Sequence, residues 1–363
     1  MTKNARMWRN CLLLTTAAAG LATGAMAQEA PEQPNDGPDE IVVTATRQEQ
    51  TISKVPLSIT AFSKEKLDVQ GVRQVDDIAR LTPGVTFTRG DARNGAAATI
   101  SIRGIASTAG SATTGIYIDD TPIQVRSIGF SAFNPFPAVF DLERVEVLRG
   151  PQGTLFGAGS EGGTIRFLTP RPDLEESHLY GRSEIATTQD GAPSYEAGLA
   201  VGVPIVTDRL AIRASAYYRH DGGYIDRVDF HRTTRRPTTI VDKNANSQAT
   251  LVFNASAAWK PTETLTITPS IYYQKLKTHD GNAYWEALSD PGAGKFRTGN
   301  AVANTSKDRF ILPALKAELE IGGRHPGVQH VLLRSRPERR ERLYSVRGGA
   351  VGEQPLLSRG HPC

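Results

Sequence analysis

DLERVEVLRGPQGTLFGAGSEGGTIRFLTPRP, Asp141 to Pro172, is the stretch on which the fold of this chain turns. Acids and an arginine lead into a β-type run at Val145, Val147 and Leu148. Glycines at 150, 153, 157, 159, 162 and 163 then punctuate a tightly turning segment. A second strand is expected from Thr164 to Leu168, closed by Thr169-Pro170-Arg171-Pro172. Gly157-Ala158-Gly159-Ser160-Glu161-Gly162 matches GxGxxG in form. A dinucleotide site needs a helix start facing the pyrophosphate, and a β-prone run follows here instead, so an NAD-dependent enzyme is not the reading taken.

Working back from this stretch, the pattern from Thr51 to Pro172 is small α+β. Val55 to Phe62 reads as a strand, with Ser63 as N-cap for a helix over Lys64 to Val69. A second helix, Val75 to Leu81, is ended by Pro83-Gly84. Strands are expected at Val85 to Thr88, Ile100 to Arg103, Ile116 to Ile118 and Arg144 to Leu148, with Asp119-Asp120 as a hairpin turn rather than a catalytic dyad.

Working forward, the character changes to alternation. Tyr195, Ala197, Leu199, Val201 and Val203 share one face; Leu210, Ile212, Ala214, Ala216 and Tyr218 share another. Ala249, Leu251, Phe253, Ala255, Ala257 and Trp259 repeat the rule, which fails only at Val252 and Ala258; Leu265, Ile267, Ile271 and Tyr273 continue it. Pro204 to Asp208 and Pro261 to Glu263 are tight turns, whereas His220 to Asn246 and Lys277 to Thr305 are long polar excursions. Short turns at one end and long loops at the other suit an up-and-down membrane barrel, as do Tyr195, Tyr218, Trp259 and Tyr273 near strand ends. About six strands are expected between Ser177 and Ile321.

The first 27 residues have a basic start (Lys3, Arg6, Arg9), an apolar run from Cys11 to Leu21 and Ala25-Met26-Ala27 before Gln28, which predicts a cleaved signal peptide. Residues 28–50 read as a flexible leader, polar and proline-rich up to Pro38, with a β-prone run at Asp39-Glu40-Ile41-Val42-Val43-Thr44-Ala45. That run is either the first strand of the next domain or a strand held out for a partner's sheet edge. Beyond Gly322 the alternation stops. Residues 323–363 have no lysine and are crowded with Arg, Pro and Gly, as a reading frame shifted near Gly322 would produce; the alternative is a native basic tail. The net charge of +4 is the sum of +3 in residues 1–27, +5 in residues 323–363 and −4 in the body, so it gives no support for nucleic-acid binding. Cys363 alone would survive signal removal, which excludes an intrachain disulfide, and the seven histidines show no metal-ligand spacing.

DIARLTPGV (77–85), ISIRGI (100–105), GIYIDDTPI (115–123) and VEVLRGPQGTLFG (145–157) occur in the order of the plug-domain landmarks of TonB-dependent outer-membrane receptors, which the chain resembles from Asp39 to Ile321. The resemblance implies an α+β plug domain (51–172) followed by antiparallel transmembrane β-barrel strands (173–322), an incomplete barrel against the family's roughly 22 strands. It implies that Asp39 to Ala45 is the TonB box, that TonB is the partner with ExbB and ExbD behind it, and that outer-membrane lipid surrounds the strands. The ligand implied is scarce, such as a ferric siderophore; no cofactor is implied and no bond is broken. Arg103 in SIRG and Arg149 in VLRG are expected to pair with barrel carboxylates on strands outside this chain. Because an open edge in lipid leaves backbone groups unsatisfied, the chain as written is expected not to transport. The alternative is a periplasmic plug-like binding or signalling module that engages TonB without a pore.

Overall fold

The computed structural model describes residues 41–46, 48, 50–88, 99–107, 111–124, 136–319, 329–330 and 333–334. The expected signal peptide, Asp39 and Glu40 of the leader, and most of the tail lie outside these residues.

The first part of the body is built on a five-stranded mixed sheet in the order β3-β8-β9-β6-β7. These are β3 (Ser58–Ser63), β8 (Arg144–Arg149), β9 (Gly163–Leu168), β6 (Thr114–Ile118) and β7 (Thr121–Pro122). β6 and β9 are parallel; the other pairs are antiparallel. Three short elements flank the sheet's start: β1 (Val42–Val43), β2 (Gln50–Thr51) and the helix α1 (Lys64–Val69). Ser63 caps α1 through its hydroxyl, which accepts from Lys66 N at 3.4 Å. Helix α2 (Val75–Leu81) buries Val75, Ile78 and Ala79 and leads through Gly84, at φ 76°, into β4 (Val85–Thr88), which pairs with β5 (Thr99–Ile102). A left-handed residue that closes the turn after a helix is where glycine costs least. Asp119 and Asp120 form the β6–β7 turn, with Asp119 at φ 52°. The glycine-rich segment wraps the short helix α3 (Gly153–Phe156) and enters β9, not a helix, which disposes of the dinucleotide reading.

A second sheet follows. Six long strands form an antiparallel meander: β10 (His178–Ala186), β11 (Ser194–Val206), β12 (Leu210–Asp221), β15 (Gln248–Thr262), β16 (Leu265–Thr278) and β18 (Ser306–Leu319). Along β12 every second residue is buried from Ala211 to Tyr217, while Ile212, Ala214, Ala216 and Tyr218 are exposed. The period is the one expected, and the structure fixes which face is which. The apolar face points outward and the polar face inward, where it packs on the first domain. That arrangement is inverted for water and suits lipid. Val252 and Ala258, the two breaks in the alternation, are buried on the inward face, and Val252 joins the core of the first domain.

Two features lie beyond the sequence reading. The long polar excursions carry strands of their own: β13 (Ile225–Phe230), β14 (Pro237–Asp242) and β17 (Phe296–Thr298) make a separate three-stranded sheet, ordered β14-β13-β17. β13 and β17 come from different loops and run parallel, in the register Ile225 with Phe296 and Arg227 with Thr298. Aromatic contacts, Tyr224 with Phe296 at 5.6 Å and Phe230 with Trp285 at 5.4 Å, supply the apolar filling that a polar average composition concealed. The tail, too, contributes pairing after Gly322: β19 (Gln329–His330) and β20 (Leu333–Arg334) both pair with β18.

Candidate functional site

Ile41 to Ala45, the described part of the leader's β-prone run, are docked on the first domain. β1 pairs with β2, Val42 opposite Thr51 and Val43 opposite Gln50, and Ile52 N donates to Ile41 O at 2.9 Å. Val43 is fully buried among Val55, Ala61 and their neighbours, and Ala45 is fully buried against Tyr117, Leu148 and Phe156. Alternation places Thr44 on the other side, where its backbone N–H donates to Glu146 Oε1 at 2.9 Å. Glu146, on β8, is completely buried. It accepts from Arg144 Nε at 2.9 Å and from an Arg166 guanidinium nitrogen at 2.6 Å, and Thr44 Oγ accepts from the same two arginines at 3.1 and 2.9 Å. Arg166 reaches on to Asp120 at 3.3 Å, and Asp120 lies 3.8 Å from Lys316 of the barrel wall. Sequence reasoning passed over Glu146 and Arg166. The available signal was one interior charge on each of two apolar strands, and the two prove to be direct cross-strand partners.

A second set of contacts wedges the first domain against the inward face of the strands. Arg73, after α1, lies 3.1 Å from Glu184 and 3.3 Å from Glu196. Glu196 also accepts from Arg182 Nε at 2.7 Å, Tyr217 OH at 2.6 Å and Arg219 at 2.6 Å, so its charge is fully met. Arg182 extends to Asp68 at 3.3 Å and to Val139 O at 2.9 Å. Asp141 and Arg213 form a bidentate pair, with Asp141 3% and Arg213 6% exposed. Between these charges the Phe140 ring stacks on Tyr217 at 4.7 Å. Gly198 lies under the Phe140 ring, which a Cβ at that position would strike. Gln274 clamps the backbone on both sides of Pro137, accepting from Ala138 N and donating to Phe136 O, each at 2.9 Å.

The arginines singled out in sequence sit elsewhere. Arg103 is exposed, at φ 54°, with its backbone N–H on Gly84 O at 2.8 Å. Arg149 donates to Pro83 O at 3.1 Å. Neither meets a barrel carboxylate among the described residues, where Arg73, Asp68, Asp120, Asp141 and Arg171 make the ion pairs to the wall. Asp119, beside the Arg166 network, accepts from Thr169 N at 2.8 Å and from Thr169 Oγ. Burial nevertheless pushes its carboxyl up to about 6. No group of acids, histidines and cysteines suited to a metal ion occurs among the described residues.

A domain that fills the polar side of an outward-apolar antiparallel sheet defines a plugged membrane barrel wall. The family described as "TonB-dependent Receptor Plug Domain" matches residues 51–164. The chain carries the plug domain of the TonB-dependent receptors, followed by antiparallel strands arranged as in the barrels of those outer-membrane proteins. Among curated proteins it is 30% identical over 216 residues to the ferripyoverdine receptor of Pseudomonas aeruginosa, covering 59% of this chain and 24% of that protein. It is 33% identical over 162 residues to the pesticin receptor of Yersinia pestis (44% and 23%) and 32% identical over 167 residues to a vitamin B12 transporter of Vibrio vulnificus (46% and 26%). The chain thus spans about a quarter of the length of these relatives. In fold it is similar to the crystal structure of the ferripyoverdine receptor of Pseudomonas aeruginosa, with TM-score 0.56 and 22% identity over 77% of this chain and 34% of that one. It is likewise similar to the ferric yersiniabactin uptake receptor of Yersinia pestis, with TM-score 0.54 and 21% identity over 73% and 38%.

Proposed function

We propose that this chain acts as a TonB-dependent receptor of the outer membrane, reached through the signal peptide at residues 1–27, for a scarce ligand of the iron–siderophore class. Ferripyoverdine and ferric yersiniabactin in the relatives' names support that ligand class. Residues Asp39 to Ala45 are the segment that TonB would pair with, and Arg103 and Arg149 would meet carboxylates of further barrel wall. One observation carries the reading: a docked, two-residue β1 beside a plug that is wedged onto a sheet with its apolar face outward. That outward face also speaks against the soluble periplasmic module. The six described long strands leave the meander open, so this chain alone is not expected to pass ligand. Fractionation of cells expressing the chain should find it in the outer membrane. Ala214→Arg, on the exposed face of β12, should lower the membrane-inserted fraction, since an arginine near the bilayer midplane costs about 2–4 kcal/mol. A freely soluble periplasmic product, or ligand uptake by this chain alone, would overturn the proposal.

A further inference from the structure

We propose that Glu146 is the positioning residue that controls how often residues 41–45 leave the plug, with Thr44 as its contact. The proposal rests on the reading of that segment as the strand offered to TonB. β1 is held by only two residue pairs with β2, and its apolar side chains contribute no directional bond. Among the described residues of the segment, Thr44 N reaches past β2 and ends on a fully buried carboxylate. Two arginines hold that carboxylate in place and also donate to Thr44 Oγ, so the acid and both of its bases share a partner on the docked strand. When the strand departs, Glu146 loses an N–H donor and both arginines lose an acceptor inside the protein, where unmet polar groups are costly. Through Asp120 the same network touches Lys316 on β18, which connects the state of the wall to that of the strand.

The test uses the full chain in outer-membrane vesicles, with Cys11 and Cys363 replaced by serine and a single reporter cysteine at Val43 or, separately, at Ile78 in α2, both fully buried. Maleimide labelling reports opening at each reporter without requiring TonB. Glu146→Gln should raise labelling at Val43→Cys by about tenfold or more, equivalent to about 1.4 kcal/mol, and leave Ile78→Cys unchanged. Equal rises at both reporters would mean general loosening and would overturn the proposal, as would no rise at Val43→Cys. If Glu146→Gln does not fold, Thr44→Val, which removes only the hydroxyl contacts, decides the matter by the same two reporters with a smaller rise. Capture by a purified TonB C-terminal fragment, measured on the same vesicles, separates the two readings. Faster labelling with no capture sinks the TonB assignment and leaves the latch standing, whereas capture that is insensitive to both variants, with labelling unchanged, sinks the latch alone.

Discussion

Replacing Asp141 by asparagine and Arg213 by methionine, singly and together, measures how firmly the plug is held to the wall. Asp141 sits at φ 49°, a conformation that asparagine tolerates well, so the substitution changes charge with little backbone strain. Methionine keeps most of the arginine's length. Both partners are more than nine-tenths buried, so there is no solvent screening to discount. Breaking such a pair from one side leaves an uncompensated buried charge, worth about 3–5 kcal/mol. At a urea slope near 2 kcal/mol/M that is a midpoint shift of about 1.5–2.5 M for either single variant. The double variant should lose less than the sum of the singles, because the two residual groups no longer strand a charge, giving a coupling energy above about 1 kcal/mol. Urea titration of the protein in detergent, followed by hydrogen exchange at the Phe140 and Leu142 amides, reads the plug side of the contact directly. Additive losses, with a coupling below about 0.5 kcal/mol, would refute the reasoning that this pair anchors the plug.

Two further outcomes follow from the same interface and its neighbour. Gly198→Val should weaken plug docking by about 1–3 kcal/mol through the clash with Phe140, seen as earlier protease cleavage of the plug; an unchanged cleavage rate would contradict the close approach. Asp119 holds its proton more tightly folded than unfolded, so its contribution to stability is full below about pH 4 and is lost as pH rises to about 6. Asp119→Asn, which can still accept from Thr169, should therefore stabilise the plug at pH 7 by up to about 2 kcal/mol and flatten its melting temperature across that window. A variant that melts lower than the parent at pH 7 would refute this.

Helices α1 and α2 were readable almost residue by residue, because a serine cap, a Pro-Gly stop and short apolar spacing are local signals, whereas α3 lay hidden in the glycine-rich segment. Four of the six long strands, β11, β12, β15 and β16, were readable for the same reason, since a period of two survives without knowledge of neighbours; β10 and β18 entered only through the expected count of about six. What covers each face was not readable. Only the fold reveals that Tyr217, Val252, Tyr272, Phe310 and Leu312 finish the plug's core from the wall. The site was partly legible: Ile41 to Ala45 stood out as a β-prone run, but its docked state depends on Glu146 and Arg166, distant in sequence from it. Arg103 and Arg149 were conspicuous in their motifs; Arg73 lies outside the four landmarks and Asp141 only opens the stretch that carries the last of them, so their contacts with the described wall had no local signal.

The parallel pairing of β13 with β17 has an engineering consequence. Two long loops that belong to different hairpins share one three-residue register, so neither can be lengthened, exchanged or randomised as an independent module. A library built on one loop would scramble the shape of the other, and grafts that respect the pair Ile225–Arg227 and Phe296–Thr298 as a single unit are the ones that should retain a defined surface.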